Sequence, residues 1–121
     1  MILQKRSRKK WINLLTQEDY NTLVTIQKPM KPSTMQGNIE RFFNLNRVDS
    51  LFYSVERNAD RQGYHIHLMF NAYKCDKEKL SFALDTPMNT IPYYKEINDK
   101  VAVSRYVTKY MKGNQIHYNI Y

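Results

Sequence analysis

The sequence has little of the cysteine that disulfide-linked proteins need and lacks the Gly/Ser linkers that are typical of multidomain proteins. Cys75 is the one cysteine among 121 residues, which excludes an intramolecular disulfide framework and a zinc site made of several cysteines. There is no Gly/Ser linker and no internal repeat, so a single domain spanning residues 1–121 is expected. No apolar run approaches the roughly 20 residues of a membrane-spanning helix, and the basic start lacks the apolar stretch of a signal peptide. We therefore expect an intracellular protein.

Acidic residues are scarce relative to basic ones. The chain has 19 Lys and Arg against 11 Asp and Glu, a net charge of +8 and a pI near 9.6. Such a surplus favours a polyanionic partner, either nucleic acid or an acidic membrane surface. The basic run at residues 5–10, in an N-terminal tail of about residues 1–10, fits a solvated tail or a phosphate-binding segment. The overall charge favours contact with DNA.

Strand-like and helix-like segments alternate along the chain. Strands are predicted at residues 23–27, 51–56, 64–70 and 91–97, and a short edge strand at 116–121. One helix is predicted to begin at the capping-box spacing of residues 33–36, a second covers 76–84, and a third covers 100–112 with Asp99 as its N-cap. Residues 11–20 could form either a helix or a strand. The strands at 51–56 and 64–70 should pair as a hairpin. This order predicts an α+β fold, with one antiparallel sheet and helices packed on one face.

The hairpin carries a set of residues that could bind a metal ion. His65 and His67 share one face of the predicted strand, because side chains alternate, and pairing places Glu56 beside them. Two imidazoles and a carboxylate suit a divalent ion such as Mn²⁺ that handles phosphate. Asp60 and His117 are weaker candidates for the third ligand. The same pattern also fits strand histidines that bind no metal.

The last predicted helix carries a candidate nucleophile. Val103, Val107 and Met111 repeat every four residues and define its buried stripe, which places Tyr106 at the margin of that stripe. A tyrosine hydroxyl can act as a nucleophile when a cation or base stabilises its phenolate, and Lys109 lies one turn further on. Tyr106 and Tyr110 could equally be amphipathic packing residues.

Together these motifs resemble those of the HUH endonuclease superfamily, which includes relaxases and the small rolling-circle-type replication initiators (Rep proteins) of viruses, phages and plasmids. Its His-hydrophobic-His motif corresponds to His65-Ile66-His67, and its Tyr-x-x-Lys motif corresponds to Tyr106-Val107-Thr108-Lys109. A less specific first motif matches residues 25–29. All three occur in the family order, so the resemblance spans about residues 22–113.

The resemblance implies a ferredoxin-like sheet with a metal site on its open face and the tyrosine helix alongside. Mn²⁺ or Mg²⁺, held by His65, His67 and Glu56, would polarise the scissile phosphate. Tyr106 would attack this phosphate and leave a 5′-phosphotyrosine and a free 3′-hydroxyl, and a later 3′-hydroxyl attack would rejoin the strand. Tyr106 and Tyr110 also form Tyr-x3-Tyr, which is similar to the two-tyrosine initiators of small isometric phages, so Tyr110 is the second candidate nucleophile.

The implied partners are single-stranded or hairpin DNA, bound through Arg57, Arg61, Lys109, Lys112 and the basic tail. Because the sequence has no phosphate-binding loop of the Gly-x4-Gly-Lys-Ser/Thr type, unwinding would come from a host helicase, from supercoiling or from a region outside this sequence, and a host polymerase would extend the 3′ end. The host cytoplasm is the expected location if the host is prokaryotic. Several compact members act as dimers, which makes a homodimer an assembly to test.

Other functions fit the same residues. A non-catalytic nucleic-acid-binding module would use aromatic side chains such as Tyr53 or Tyr64 to stack bases. A structural or regulatory protein would need no reaction at all. A metal-dependent hydrolase that uses water would cut DNA and leave no covalent adduct.

Overall fold

The computed structural model describes residues 7–27, 32–58, 63–109 and 115–121. Within these ranges the chain forms four α-helices, five strands and a short 3-10 helix at Met88–Thr90. The helices are α1 (Arg8–Gln17), α2 (Pro32–Leu45), α3 (Lys77–Leu84) and α4 (Lys100–Thr108). The strands are β1 (Thr22–Gln27), β2 (Val48–Arg57), β3 (Tyr64–Ala72), β4 (Tyr93–Glu96) and β5 (Gln115–Ile120). None of the helices in the described ranges is long and apolar enough to cross a membrane.

The five strands form one sheet in the order β4-β1-β3-β2-β5. Every neighbouring pair in this sheet is antiparallel. The run β1-α2-β2-β3-α3-β4 has the β-α-β-β-α-β order of a ferredoxin-like unit, with α1 before it and α4 and β5 after it. The predicted α+β class and antiparallel sheet are therefore confirmed.

The larger core lies between one face of the sheet and the pair α2 and α3. Alternation along the strands directs one set of apolar side chains to this face, and both helices contribute a buried stripe. The rings of Phe42 in α2 and Phe70 in β3 meet edge to face, with centroids 5.2 Å apart. The fully buried members from the strands are Val24, Ile26, Leu51, Tyr53, Val55, Ile66, Leu68 and Phe70.

The opposite face of the sheet is partly covered by α1 and α4. The ring centroid of Trp11 lies 5.7 Å from that of Phe52 and 5.0 Å from that of Tyr118. Val107 of α4 is buried in the same cluster. The expectation of helices on one face alone needs correction, since α1 and α4 also bury their apolar stripes on the sheet, on its second face.

The ambiguous segment 11–20 is helical up to Gln17. Ser7 caps this helix by accepting a hydrogen bond from the Lys10 amide at 3.3 Å. Trp11 and Leu15, four residues apart, both point into the second core. The local sequence is compatible with either a helix or a strand here, and packing against the sheet stabilises the helix.

Several boundaries differ from the predicted ones. Strand β2 begins earlier than predicted, at Val48, and β4 is shorter than the predicted 91–97. The end of helix α3 at Leu84 agrees with the prediction, and its C-cap Asp85 adopts φ 51° and donates its amide to the carbonyls of the last turn. The structure describes the last helix as far as Thr108, and the predicted remainder from Tyr110 to Gly113 lies outside the described residues.

Candidate metal centre

The β2–β3 hairpin brings the predicted metal ligands together. In the antiparallel register Glu56 lies opposite His65, and Ser54 lies opposite His67. Their strand neighbours Val55 and Ile66 face the larger core, so the two histidines and Glu56 share the opposite face. The turn closes through a 3.1 Å hydrogen bond from the Asn58 amide to the carbonyl of Gly63, whose φ of +84° favours glycine.

The donor atoms of these three residues converge. The Glu56 Oε1 atom lies 3.4 Å from His65 Nε2 and 4.0 Å from His67 Nε2. One ligand atom from each residue falls within 4.8 Å of the others. Glu56 and His67 are buried and His65 is partly exposed, so the cluster can be reached from solvent on the His65 side.

Hydrogen bonds hold the three side chains in this orientation. His65 Nδ1 donates to Asn58 Oδ1 at 2.8 Å, which leaves the lone pair of Nε2 directed at the cluster. Ser54 Oγ donates to the second Glu56 oxygen, Oε2, at 3.1 Å. Thr25 Oγ1 lies 3.4 Å from His67 Nδ1. Each of these neighbours contacts the ligand atom that faces away from the cluster, as second-shell residues of metal sites do.

Burial sets the charge of His67. Desolvation lowers its pKa to about 4, and although the nearby Glu56 raises that pKa and His65 lowers it further, burial dominates. His67 is therefore neutral near pH 7, which is the form of imidazole that binds metals.

The geometry and chemistry of the cluster fit a transition-metal ion. Bonds of about 2.1 Å allow two donor atoms on one ion to lie up to about 4.2 Å apart. Both distances from Glu56 Oε1 lie within this limit, and the three ligand atoms all fall within 4.8 Å of one another, so small side-chain movements would bring them onto one ion. Glu56 is only 1% exposed, and a carboxylate so buried is unfavourable without an accompanying cation or proton. A bound cation would supply that compensation.

Tyr106 of α4 lies beside this cluster. The centroid of its ring is 5.4 Å from that of His67, with the planes at 71°. Tyr106 is 55% exposed, while the next residue, Val107, is buried and anchors the helix on the sheet. Lys109 caps this described part of α4 and is exposed. Arg57 at the end of β2 is also exposed, but it alternates with Glu56 and lies on the sheet face of Val55, away from the cluster.

Two sequence-based candidates are excluded by their positions. His117 lies on the opposite face of the sheet, where its Nε2 is 2.8 Å from the hydroxyl of Tyr53, so it was wrong as a third ligand. Tyr53 is fully buried in the larger core and cannot stack on a nucleobase. Tyr64 is half-buried against the same core. Asp60, Arg61, Tyr110 and Lys112 lie outside the described residues.

Sequence reasoning missed Asn58, the hydrogen-bond partner of His65. A signal for it exists, since Asn58 is two residues after Glu56 and extends the same strand face into the turn. Thr25 was noted for the first family motif alone, and its position opposite His67 in the β1–β3 register explains why it lies at the site.

Comparison with known proteins gives no relative. A scan against protein-family models, a search of curated proteins and a search of solved structures each find no match to this chain. The function must therefore be argued from the site itself.

Proposed function

We propose that the protein is a metal-dependent endonuclease that nicks and rejoins single-stranded DNA through a 5′-phosphotyrosine intermediate. Its biological role would be to initiate replication at an origin or hairpin. The observation that carries the proposal is the contact of the Tyr106 ring with His67, because it places an exposed hydroxyl-bearing side chain beside a possible metal cluster. Both elements are needed for tyrosine-based phosphoryl transfer.

His65, His67 and Glu56 would hold the metal ion. A bound divalent ion supplies positive charge that polarises the phosphate ester and stabilises charge in the transition state. Imidazole nitrogens suit Mn²⁺ better than Mg²⁺, which prefers a shell of oxygens, so Mn²⁺ is the better fit to this donor set.

Tyr106 would be the nucleophile. Its phenolic oxygen forms a bond to phosphorus, the bond from phosphorus to the 3′ oxygen breaks, and the tyrosine proton is lost as the 3′ oxygen takes one up. The exposed position of Tyr106 leaves it accessible to a DNA strand on this face. The exposed ammonium of Lys109, three residues on, would attract the phosphate backbone. Attack of a 3′-hydroxyl on the phosphotyrosine reverses the step and rejoins the strand.

Charge supports a nucleic acid as the substrate. The net charge of +8 is large for 121 residues, and the exposed Lys109 lies three residues after Tyr106 on the side of the sheet that carries the cluster. A non-catalytic nucleic-acid-binding module would share this charge. It would give no reason for the convergence of Glu56, His65 and His67, and the burial of Tyr53 removes one of its two base-stacking candidates.

A covalent-adduct gel tests the proposal. The protein is incubated with Mn²⁺ and labelled single-stranded and hairpin oligonucleotides that tile the genome encoding it, and is then denatured. We expect a slow, protease-sensitive band that is lost with EDTA and in Tyr106→Phe. The matched control is Tyr93→Phe, which removes the hydroxyl of another exposed tyrosine, on β4, and should keep the band.

Each other outcome has a defined meaning. A band that survives in Tyr106→Phe and disappears in Tyr110→Phe would move the nucleophile to Tyr110. Cleavage without any adduct would indicate a hydrolase that uses water. Neither cleavage nor adduct on any oligonucleotide, with Mn²⁺ binding intact, would contradict the proposed activity and favour a binding module.

A further inference from the structure

Strand β4 presents an aromatic ring on the sheet face that carries the metal cluster. In the antiparallel register Tyr93 lies opposite Thr25, and Thr25 lies opposite His67 on its other side. Residues directly opposite one another share a face, so Tyr93 and His67 project from the same face with one strand between them. Two strand spacings of about 4.8 Å place their Cα atoms about 10 Å apart. The ring therefore lies at the edge of the face on which Tyr106 contacts His67.

Alternation along β4 also brings positive charge to this face. Lys95, two residues after Tyr93, projects from the same face, and its Nζ atom lies 5.4 Å from the centroid of the Tyr93 ring. Tyr94 and Glu96 project from the opposite face, where Tyr94 packs against the larger core. The cation of β4 is thus on the side of the cluster, and its carboxylate is on the other side.

The side chains between β4 and the cluster are accessible. Tyr93 is 39% exposed, and Lys95 is exposed as well. In β1 the exposed Gln27 lies opposite His65, at the end of the strand nearest the cluster. An extended chain that reaches the cluster from the β4 edge would pass over these side chains.

An aromatic ring beside a cation indicates which kind of partner fits this edge. Every nucleobase has a π face that can stack on a tyrosine ring, and proteins that bind single strands combine such rings with basic side chains that follow the phosphates. A duplex keeps its bases stacked on one another and offers the ring no free base. An acidic protein segment would match the charge of Lys95 and would bring no planar group for Tyr93.

We propose that Tyr93 stacks on an unpaired nucleobase that flanks the attacked phosphate, with Lys95 near the phosphate of the same nucleotide. The role of the ring is to bind the strand so that the phosphate between the metal cluster and Tyr106 stays in place. This assignment rests on the proposed endonuclease activity and adds a physical reason for a single-stranded substrate. The ring carries the role and the hydroxyl does not, so Tyr93→Phe should retain it.

Binding measured in EDTA tests this role apart from the reaction. Fluorescence anisotropy gives the affinity of the full chain for labelled oligo(dT), a suitable probe because stacking tolerates any base. We expect Tyr93→Leu, which keeps an apolar side chain without a ring, to raise the dissociation constant at least about fivefold. Tyr93→Phe should stay within about twofold of the wild type. For a duplex of oligo(dT) and oligo(dA), whose bases are paired, Tyr93→Leu should bind as the wild type does.

The matched control is Tyr73→Leu. Tyr73 is 61% exposed in the loop after β3, and Lys74 Nζ lies 5.2 Å from the centroid of its ring. This second ring with a lysine beside it lies next to residues of α2 and α3, which cover the other face of the sheet. Its loss should leave the affinity for oligo(dT) unchanged. Circular dichroism checks that each variant is folded, and Tyr93→Thr, with a side chain favoured in strands, replaces Tyr93→Leu if that variant is not.

Four results would overturn the proposal: unchanged oligo(dT) affinity in Tyr93→Leu, an equal loss in Tyr93→Phe, an equal loss in Tyr73→Leu, or an equal loss of duplex affinity in Tyr93→Leu. The covalent-adduct gel separates this proposal from the proposed activity. A wild-type adduct together with unchanged binding in Tyr93→Leu would reject the stacking role alone. Ring-dependent binding of oligo(dT) without an adduct on any oligonucleotide would reject the endonuclease and leave Tyr93 as a base-stacking residue of a binding module.

Discussion

The ring of Tyr106 packs edge to face against His67, with centroids 5.4 Å apart. These residues are far apart in the sequence, one on a helix and one on a strand, and meet because the buried Val107 seats α4 on the sheet. The histidine is buried and the tyrosine is exposed, so the contact joins a shielded cluster to a side chain that a substrate can reach.

Replacing a ligand should abolish tight metal binding. We expect His65→Ala to weaken Mn²⁺ binding at least about 100-fold, a larger loss than removal of a second-shell group causes. Isothermal titration calorimetry measures this on the protein stripped with EDTA.

The matched control for this experiment is His117→Ala. It removes a histidine of the same sheet that faces the other side and contacts Tyr53. Its Mn²⁺ affinity should equal that of the wild type. If the two variants lost Mn²⁺ affinity equally, binding would depend on any histidine of the sheet, and the proposed site at His65 would be wrong.

Asn58 should tune metal affinity without contacting the ion. It accepts the Nδ1 proton of His65 and so fixes the tautomer whose Nε2 lone pair faces Glu56. We expect Asn58→Ala to lower Mn²⁺ affinity about 10- to 100-fold, as for other second-shell partners. Asn58→Asp keeps an acceptor and should retain most of the affinity. If Asn58→Ala bound Mn²⁺ with unchanged affinity, Asn58 would have no role in orienting His65 for metal binding.

Local sequence patterns were sufficient for the central hairpin. The alternation in residues 64–70 and 51–56 fixes which side chains share a face, and the turn between them fixes the register, so the proximity of Glu56 to both histidines followed from the sequence. The β-branched run of β1 and the cap at Asp99 were equally local signals.

The remaining features depend on contacts between distant segments. Helix α1 has a weak local preference and is selected by packing of Trp11 on Phe52 and Tyr118. The distance of α4 from the hairpin, and hence the contact of Tyr106 with His67, depends on how both helices cover the second face. The hydrophobic periodicity of a single helix or strand does not determine the distance between α4 and the hairpin. The position of His117 likewise depends on where β5 joins the sheet.

Lys109 should contribute a phosphate contact. For single-stranded DNA, the loss of one contact changes the slope of log K against log salt concentration by about 0.7. We expect Lys109→Ala to make the slope shallower by this amount. Fluorescence anisotropy with a labelled oligonucleotide in a salt series measures it. Lys77→Ala, on α3 and outside the proposed surface, is the control, and an equal change there would indicate only a general charge effect.

The buried imidazole of His67 should make the metal-free protein less stable in mild acid. Its pKa is about 4 in the folded chain and about 6.5 when unfolded. Between these values the unfolded state binds a proton that the folded state does not, so stability falls as the pH falls from 6.5 toward 4.

From pH 7 to pH 5 this one group should lower the free energy of unfolding by about 2 kcal/mol. Urea denaturation in EDTA at both pH values measures the total change, to which other groups also contribute. In His67→Gln the decrease should be smaller by that amount, because the substituted side chain does not titrate. In His117→Gln, where His67 remains, the contribution of His67 should persist. If His67→Gln loses as much stability in acid as the wild type, His67 titrates near its ordinary pKa and burial does not hold it neutral.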